Sequence, residues 1–203
     1  MQNKIKELLF QTGRRGVAVL YEYMEENGFF QAPCSGAHHL AKEGGLAEHS
    51  LNVYRIMNAD AASKLDPEEY DKMKNSIIIC SLLHDIGKIG QFQKPLYVPN
   101  MLKGRVTKAN PNPEPVQSDK KPFVTNPELL SVPHEIRSVS IIGEHMELTE
   151  DEYFAILYHN GLYGSLKYEL QGKETPLYML LHFADMWASR VTEMESGIQE
   201  EDE

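Results

Sequence analysis

The sequence predicts an all-α fold: one helical bundle carrying a long irregular or hairpin insertion around residues 91–130. Three observations lead there. Apolar residues recur at helical spacing through most of the chain, as in Leu46, Val53, Ile56 and Met57, or Leu177, Leu180, Leu181 and Ala184. Helix-start signals precede such stretches. Asp66-Pro67-Glu68-Glu69 offers an N-cap, a proline at the first helical position and acids in the first turn, and Thr149-Glu150-Asp151-Glu152 is a capping box. Prolines, by contrast, gather in the insertion, where Pro95, Pro99, Pro111, Pro113, Pro115, Pro122 and Pro127 leave little periodicity.

Taken in order, residues 2–10 carry Ile5, Leu8 and Leu9 on one helical face. Gly13 and Gly16 bracket a break at Arg14-Arg15, and Val17 to Glu26 forms a second helix ending at Asn27-Gly28, so N-terminal helices fill residues 1–30. Residues 31–45, with Pro33, Gly36, Gly44 and Gly45, are loop. A helix follows from Leu46 to about Ala62. The next runs from Asp66 through the apolar residues 77–83 to His84-Asp85 and stops near Gly87. Within 91–130, Val98, Val106, Phe123 and Val124 around Gly104 allow a short hairpin. Helices resume over about 133–146, from Thr149 to about Tyr158 and, after a turn at Gly161 and Gly164, from Thr175-Pro176 to roughly Met194. There is no internal repeat. A single domain over 1–203 is expected, ending in an acidic tail at 197–203.

With 203 residues, 41% of them hydrophobic, the chain can bury a sizeable core. No apolar run approaches the ~18 residues needed to span a bilayer, and the first seven residues lack the apolar stretch of a secretory signal. A cytoplasmic protein is expected, with no membrane partner. Cys34 and Cys80 form neither a disulfide framework nor a sulfur-rich zinc site, and Cys80, following Ile77-Ile78-Ile79, reads as a small buried thiol. The net charge of −10 repels long polyanions and favours small substrates over nucleic-acid polymers. The stretch from Lys88 to Lys121 opposes that balance. Lys88, Lys94, Lys103, Arg105, Lys108, Lys120 and Lys121 against Glu114 and Asp119 make it net +5. It reads as a lid or substrate-contact hairpin beside whatever Lys88 serves, or as a solvated loop.

Chemistry concentrates in the histidines and carboxylates. In Ser81-Leu82-Leu83-His84-Asp85-Ile86-Gly87-Lys88 a His-Asp pair ends a buried helix. An ionised Asp there is costly unless paired or coordinated, and a divalent metal would satisfy it. Neighbouring helical side chains diverge by about 100°, so both reach one metal only from a helix end or across a shared cluster. Gly87 lets the chain turn close to the ligand, and Lys88 places a cation near an incoming phosphate. A capping Asp beside an ordinary surface His would give the same dipeptide. His49 lies early on its own helix in Gly44-Gly45-Leu46-Ala47-Glu48-His49-Ser50-Leu51, and Asp185 lies among apolar residues in Leu180-Leu181-His182-Phe183-Ala184-Asp185-Met186.

That order, His49, His84-Asp85, Asp185, with Leu-Leu-His-Asp-Ile-Gly-Lys at 82–88 and Ala-Asp-Met at 184–186, resembles the HD-domain metal-dependent phosphohydrolases. The resemblance covers roughly residues 38–192. Its nearest pattern is a set of small phage- and gut-bacterium-type HD proteins, which share His-His-x-Ala-x-Glu-Gly-Gly-Leu-x-Glu-His-Ser-Leu-x-Val, here residues 38–53. Their His-Gly-Glu-Lys-Ser element reads His134-Glu135-Ile136-Arg137-Ser138, lacking the glycine and replacing lysine by arginine. A later Leu-Thr-x-x-Glu … Ala-Ile-x-x-His-x-Gly matches residues 148–161 and ends in His159-Asn160-Gly161.

The resemblance implies a helical fold and a divalent metal held by His49, His84, Asp85 and Asp185. Some branches hold a second metal with two further histidines, and His134 and His159 fall in the matching places. A helix-capping role for His134 and a helix C-terminal role for His159 remain alternatives. A histidine-rich set with two carboxylates favours Mn, Fe, Co, Ni or Zn over Ca or Mg. The catalytic set expected is Asp85, Lys88, His134 and His159, with one or two metal ions. The substrate contacts expected are Lys88, Lys103, Arg105, Arg137, Asn160 and Tyr163. His38 and His39 lie in a loop at the rim, while His145 and His182 read as surface or packing residues. The implied activity is phosphoester hydrolysis on a nucleotide or similar small substrate. Two other readings stay open: a phosphodiesterase or exonuclease on single-stranded ends, for which no aromatic stacking platform is evident, and a metal- or nucleotide-binding module without turnover.

Overall fold

The computed structural model describes residues 1–108, 110–164 and 167–194. The acidic tail expected at 197–203 lies outside the described residues. The molecule is mostly helical, 55% helix against 6% strand. Two short helices open the chain, α1 (Gln2–Gln11) and α2 (Val17–Glu26), followed by the long pair α3 (Gly45–Lys64) and α4 (Pro67–Leu83). A 3₁₀ turn, Ile86–Ile89, leads into a ribbon of four small strands: β1 (Tyr97–Pro99), β2 (Met101–Leu102), β3 (Val116–Gln117) and β4 (Phe123–Thr125). Then come α5 (His134–His145), α6 (Glu150–Tyr158), a 3₁₀ turn at Gly161–Tyr163, the single-turn α7 (Lys167–Leu170) and α8 (Pro176–Trp187). The sequence predicts one helix from 175 to about 194. Instead α8 ends at Trp187 and passes into a π-helical turn, Ala188–Thr192.

Local chemistry sets these boundaries. The Asp66 carboxylate accepts the backbone N–H groups of Glu68 and Glu69, and Pro67 occupies the first helical position. The first turns of α4 are wet, whereas all of residues 77–83 are buried. Each fully buried Ile or Leu there contributes about 1.5–3 kcal/mol of transfer free energy. α4 packs along α3, α8 lies against both, and α5 and α6 complete the surround. One hydrophobic cluster runs from Ile5 in α1 to Ala188 at the end of α8. Arg14, in the break between α1 and α2, forks onto the Glu152 carboxylate at 2.7 and 2.9 Å. Glu152 also accepts the Ser76 hydroxyl at 2.7 Å and closes the capping box with Thr149.

The insertion is a hairpin ribbon. β1 pairs antiparallel with β4, Val98 opposite Val124, and β2 with β3, Met101 opposite Gln117. Its root is tied down. The Phe123 N–H donates to the Gly36 carbonyl, and the Arg137 guanidinium donates to the Gln91 side chain and the Leu130 carbonyl. Its tip is not: Met101, Leu102, Val106 and Val116 are all exposed. The turn carrying the His-Asp pair is closed against α5 by Gly87. A β-carbon there would lie 2.1 Å from the His134 carbonyl oxygen and 2.8 Å from the Ser138 nitrogen, while the Gly87 N–H donates to the Ser138 hydroxyl.

Candidate metal centre

Three helix ends and the faces of two further helices converge on Asp85. His84 caps the C-terminus of α4, and Asp85 follows it as the chain tightens into the 3₁₀ turn. His134 opens α5, and His159 caps the C-terminus of α6. His49 projects from the second turn of α3 and Asp185 from α8. His49, His84, Asp85 and His159 are each at most 1% exposed, while the side chains of Asp185 and His134 are 20% and 24% exposed.

The hydrogen bonds fix which way each ring points. His84 Nδ1 lies 3.0 Å from the Ser81 carbonyl and His159 Nδ1 lies 2.7 Å from the Ile156 carbonyl. A carbonyl only accepts, so both Nδ1 atoms carry the proton and both Nε2 atoms present a lone pair inward. His49 Nδ1 lies 2.9 Å from Glu193 Oε1, so its Nε2 also faces inward. Those Nε2 atoms meet carboxylate oxygens. His49 Nε2 is 3.2 Å from Asp185 Oδ1 and 3.5 Å from Asp85 Oδ2, and His84 Nε2 is 3.5 Å from Asp85 Oδ2. On the other side Asp85 Oδ1 lies 3.1 Å from His134 Nε2 and 3.5 Å from His159 Nε2, with 3.3 Å between the two rings. Despite these approaches, His49 Nε2, His84 Nε2 and Asp85 Oδ1 are buried without a hydrogen bond of good geometry among the described residues.

A cage of lone pairs needs cations. Protons supply only part of them. Burial pushes His84 down to about 3, outweighing the nearby Asp85 carboxylate, so it stays neutral. Burial also opposes protonation of His49 and His159. Cys34, Asp185 and Glu193 outweigh it at His49, as do Asp85 and Asp185 at His159, and both rings are held above the ordinary histidine value. At His49 the carboxylates carry that direction, because burial pushes the Cys34 thiol up and keeps it protonated near neutrality. Burial would raise Asp85, but Lys88, His84 and His134 hold it well below the usual carboxylate range.

The donor set could hold a metal ion. Ligands on a tetrahedral ion with bonds of about 2.0–2.3 Å sit roughly 3.3–3.8 Å apart, close to the separations above. His49, His84 and Asp185 form one group of donors within 4.8 Å of one another, and His84, Asp85 and His159 form a second. Cys34, His39 and His49 make a third such group. Its chemistry is poorer, because the Lys88 ammonium lies 3.7 Å from Cys34 Sγ and disfavours a second cation there.

Lys88 is the counter-charge. Its ammonium lies 2.6 Å from Asp85 Oδ2, and although burial works against it, Asp85, Cys34 and Asp185 hold it above the ordinary lysine value. A cleft of about 410 Å³ opens from this point, lined among others by His38, His39, Asn160, Tyr163, His182 and Arg190.

The structure therefore brings together His49, His84, Asp85, Asp185, His134, His159 and Lys88, with Asn160 3.4 Å from His134 and Tyr163 at the cleft mouth. Three expected substrate contacts fall elsewhere. Arg137 is buried with its guanidinium engaged by Gln91 and Leu130, so it ties the ribbon to α5 and does not face the cleft. Lys103 and Arg105 are exposed near the ribbon tip and do not line the cleft. His182, read as a packing residue, stacks on Tyr178 and donates to the His159 carbonyl at 2.7 Å, yet it also lines the cleft. Gly161 makes room for it: a β-carbon there would lie 2.5 Å from the His182 ring. Sequence reasoning missed Glu193, Asn52, Cys34 and Arg190. Asn52, three residues after His49 on α3, carried the one usable signal, helical proximity to a ligand. Comparison with protein-family models, with curated proteins and with solved structures finds no match.

Proposed function

We propose that this chain is a metal-dependent phosphohydrolase of the HD-domain type, hydrolysing a phosphoester of a nucleotide or similar small substrate. The observation that carries the reading is the cage of inward lone pairs, in which buried His49, His84 and Asp85 leave ligand atoms unpartnered around the Asp85 carboxylate. The metal set is His49, His84, Asp85 and Asp185, with His134 and His159 completing a second position. An ion of the Mn, Fe, Co, Ni or Zn class supplies an acidified water and polarises a phosphoryl oxygen.

The remaining chemistry belongs to the chain. Lys88 keeps its proton throughout the neutral range, balances the carboxylates and neutralises charge on the phosphoryl oxygens. Whichever of His134 and His159 does not ligate a metal, both within 3.5 Å of Asp85 Oδ1, would protonate the leaving oxygen, and the Asn160 amide lies 3.4 Å from His134 Nε2. Burial of the inner residues excludes water and strengthens each of these interactions. The cleft's size suits a small molecule.

Metal content of the purified protein, set beside Asp85→Ala and the more exposed Asp185→Asn, tests the site. Wild type is expected to carry or take up a transition metal and both variants to lose it. Unchanged metal binding in both variants would overturn the reading. Release of phosphate from nucleotides, cyclic dinucleotides and short oligonucleotides with added Mn(II) or Co(II) then sorts the substrate. Hydrolysis of small nucleotides is expected, cleavage of oligonucleotide ends would favour the exonuclease alternative, and no turnover would favour a binding module.

A further inference from the structure

Glu193 is the least expected member of the centre. It lies past α8, its side chain is 1% exposed, and its carboxylate reaches both His49 Nδ1 at 2.9 Å and the Asn52 amide at 3.2 Å. His39 Nε2 stands 3.9 Å from its other oxygen. A carboxylate buried this deeply is costly without partners, and its closest partner is the ring of a proposed ligand.

The backbone explains how it gets there. In a regular α-helix residue 193 would sit eight positions after Asp185, about 80° around the axis and off the ligand face. The π-helical turn Ala188–Thr192 absorbs one extra residue, seen in the Glu193 N–H donating to the carbonyl of Ala188, five positions back. With one residue absorbed, Glu193 takes the angular place of the seventh position, roughly 20° from Asp185. Two turns of one helix then serve one histidine from both sides: Asp185 faces His49 Nε2 and Glu193 holds His49 Nδ1.

We infer that Glu193 is a positioning residue for His49, and that the π-helical turn exists to deliver it. Accepting the Nδ1 proton fixes the tautomer, aims the Nε2 lone pair at Asp85 and Asp185, and raises the basicity of the ring as a ligand. Partners of this kind typically change metal affinity by about 10–100-fold when removed. Glu193 touches neither Asp85 nor Asp185 among the described contacts, so its shortest route to the centre is the His49 ring.

The inference rests on the metal-centre reading, and the test separates the two. Mn(II) and Co(II) affinities are measured by calorimetry on wild type, Glu193→Ala and Glu193→Gln, beside the melting temperature of each metal-free protein and the ¹⁵N tautomer signature of His49 in the metal-free protein, read at a pH above its titration. Wild type binding neither ion sinks the metal-centre reading itself. With wild type binding, Glu193→Ala should bind about 10–100-fold more weakly, its His49 should lose the pure Nδ1–H tautomer, and Glu193→Gln should fall between. Wild-type affinity and tautomer in Glu193→Ala would overturn the positioning role. So would a metal loss matched by equal loss in a control of similar melting temperature, such as Arg137→Lys. Should Glu193→Ala not fold, Glu193→Gln decides alone: weakened affinity with a near-wild-type melting point supports the role, and unchanged affinity overturns it.

Discussion

At the scale of single residues, the centre is organised by which nitrogen of each histidine carries the proton. Three rings spend Nδ1–H on Ser81, Ile156 and Glu193 and turn Nε2 toward two carboxylates. Without a metal, the Lys88 ammonium is the nearest counter-charge to Asp85 among the described residues, at 2.6 Å and largely out of water. This makes a prediction for Lys88→Met. Removing one partner of a buried ion pair costs about 3–5 kcal/mol because the other charge is left stranded. The metal-free variant should therefore melt well below wild type. On the proposed metal-centre reading a divalent ion would replace the missing charge, so Mn(II) should raise the melting temperature more in Lys88→Met than in wild type. Thermal melts with and without Mn(II) check this, and an equal or smaller metal-induced shift in the variant would show that Lys88 does not stand in for the ion. The positions of His49, His84, Asp85 and Asp185 were legible because each sits beside apolar core sequence in a fixed order. Glu193 was not, since helical periodicity places it off the ligand face and nothing in Ala188-Ser189-Arg190-Val191-Thr192 announces a π-turn.

At the scale of elements, helix starts were readable and helix ends less so. Asp66-Pro67 and the Thr149 capping box act where their side chains indicate, because a cap is a local bond between residues two or three apart. Arg137 was misplaced for the converse reason: its partners, Gln91 and the Leu130 carbonyl, belong to a ribbon whose path no local pattern gives. The Arg14–Glu152 pair is another long-range bond, joining the α1–α2 break to α6 and, through Ser76, to α4. Burial would raise the Glu152 carboxyl, yet Arg14, the Thr149 N–H and Ser76 hold it below its ordinary value of 4.5. A depressed carboxyl contributes stability above its unfolded value, and that contribution is lost as pH falls through the folded value. Glu152→Gln should lower unfolding free energy by about 2–3 kcal/mol near pH 7, less than a fully buried pair because Arg14 keeps some solvent contact. The gap from wild type should narrow as pH drops below about 4.5. Urea titrations at pH 7 and pH 3.5 measure both; a gap that stays constant or widens on acidification contradicts the assignment.

At the scale of the whole molecule, positive and negative charge are separated. The chain is net −10, three of its carboxylates, Asp85, Asp185 and Glu193, meet at the buried centre, and the stretch from Lys88 to Lys121 that carries the ribbon is net +5. The ribbon leaves the centre directly after Lys88 and is anchored at its root by Gly36, Gln91 and Leu130. Its tip carries Lys103 and Arg105 into solvent, outside the cleft lined by Lys88, Asn160, Tyr163 and Arg190. Exposed charges act over about 8–10 Å at physiological salt, and weakly at that range. Lys103→Ala with Arg105→Ala should therefore leave metal affinity unchanged and alter KM for a small phosphoester by no more than about twofold at 0.15 M salt. At 0.01 M salt, where screening extends to about 30 Å, KM should rise more in the double variant than in wild type, because the tip then helps draw an anion toward an acidic protein. Arg190→Ala, by contrast, should raise KM at both salt concentrations, since that residue lines the cleft and its guanidinium lies over the Tyr163 ring. KM measured at the two ionic strengths separates these cases. A large, salt-independent rise in the Lys103/Arg105 variant would mean that the ribbon folds over the cleft during turnover and that its lysine-rich face touches the substrate directly.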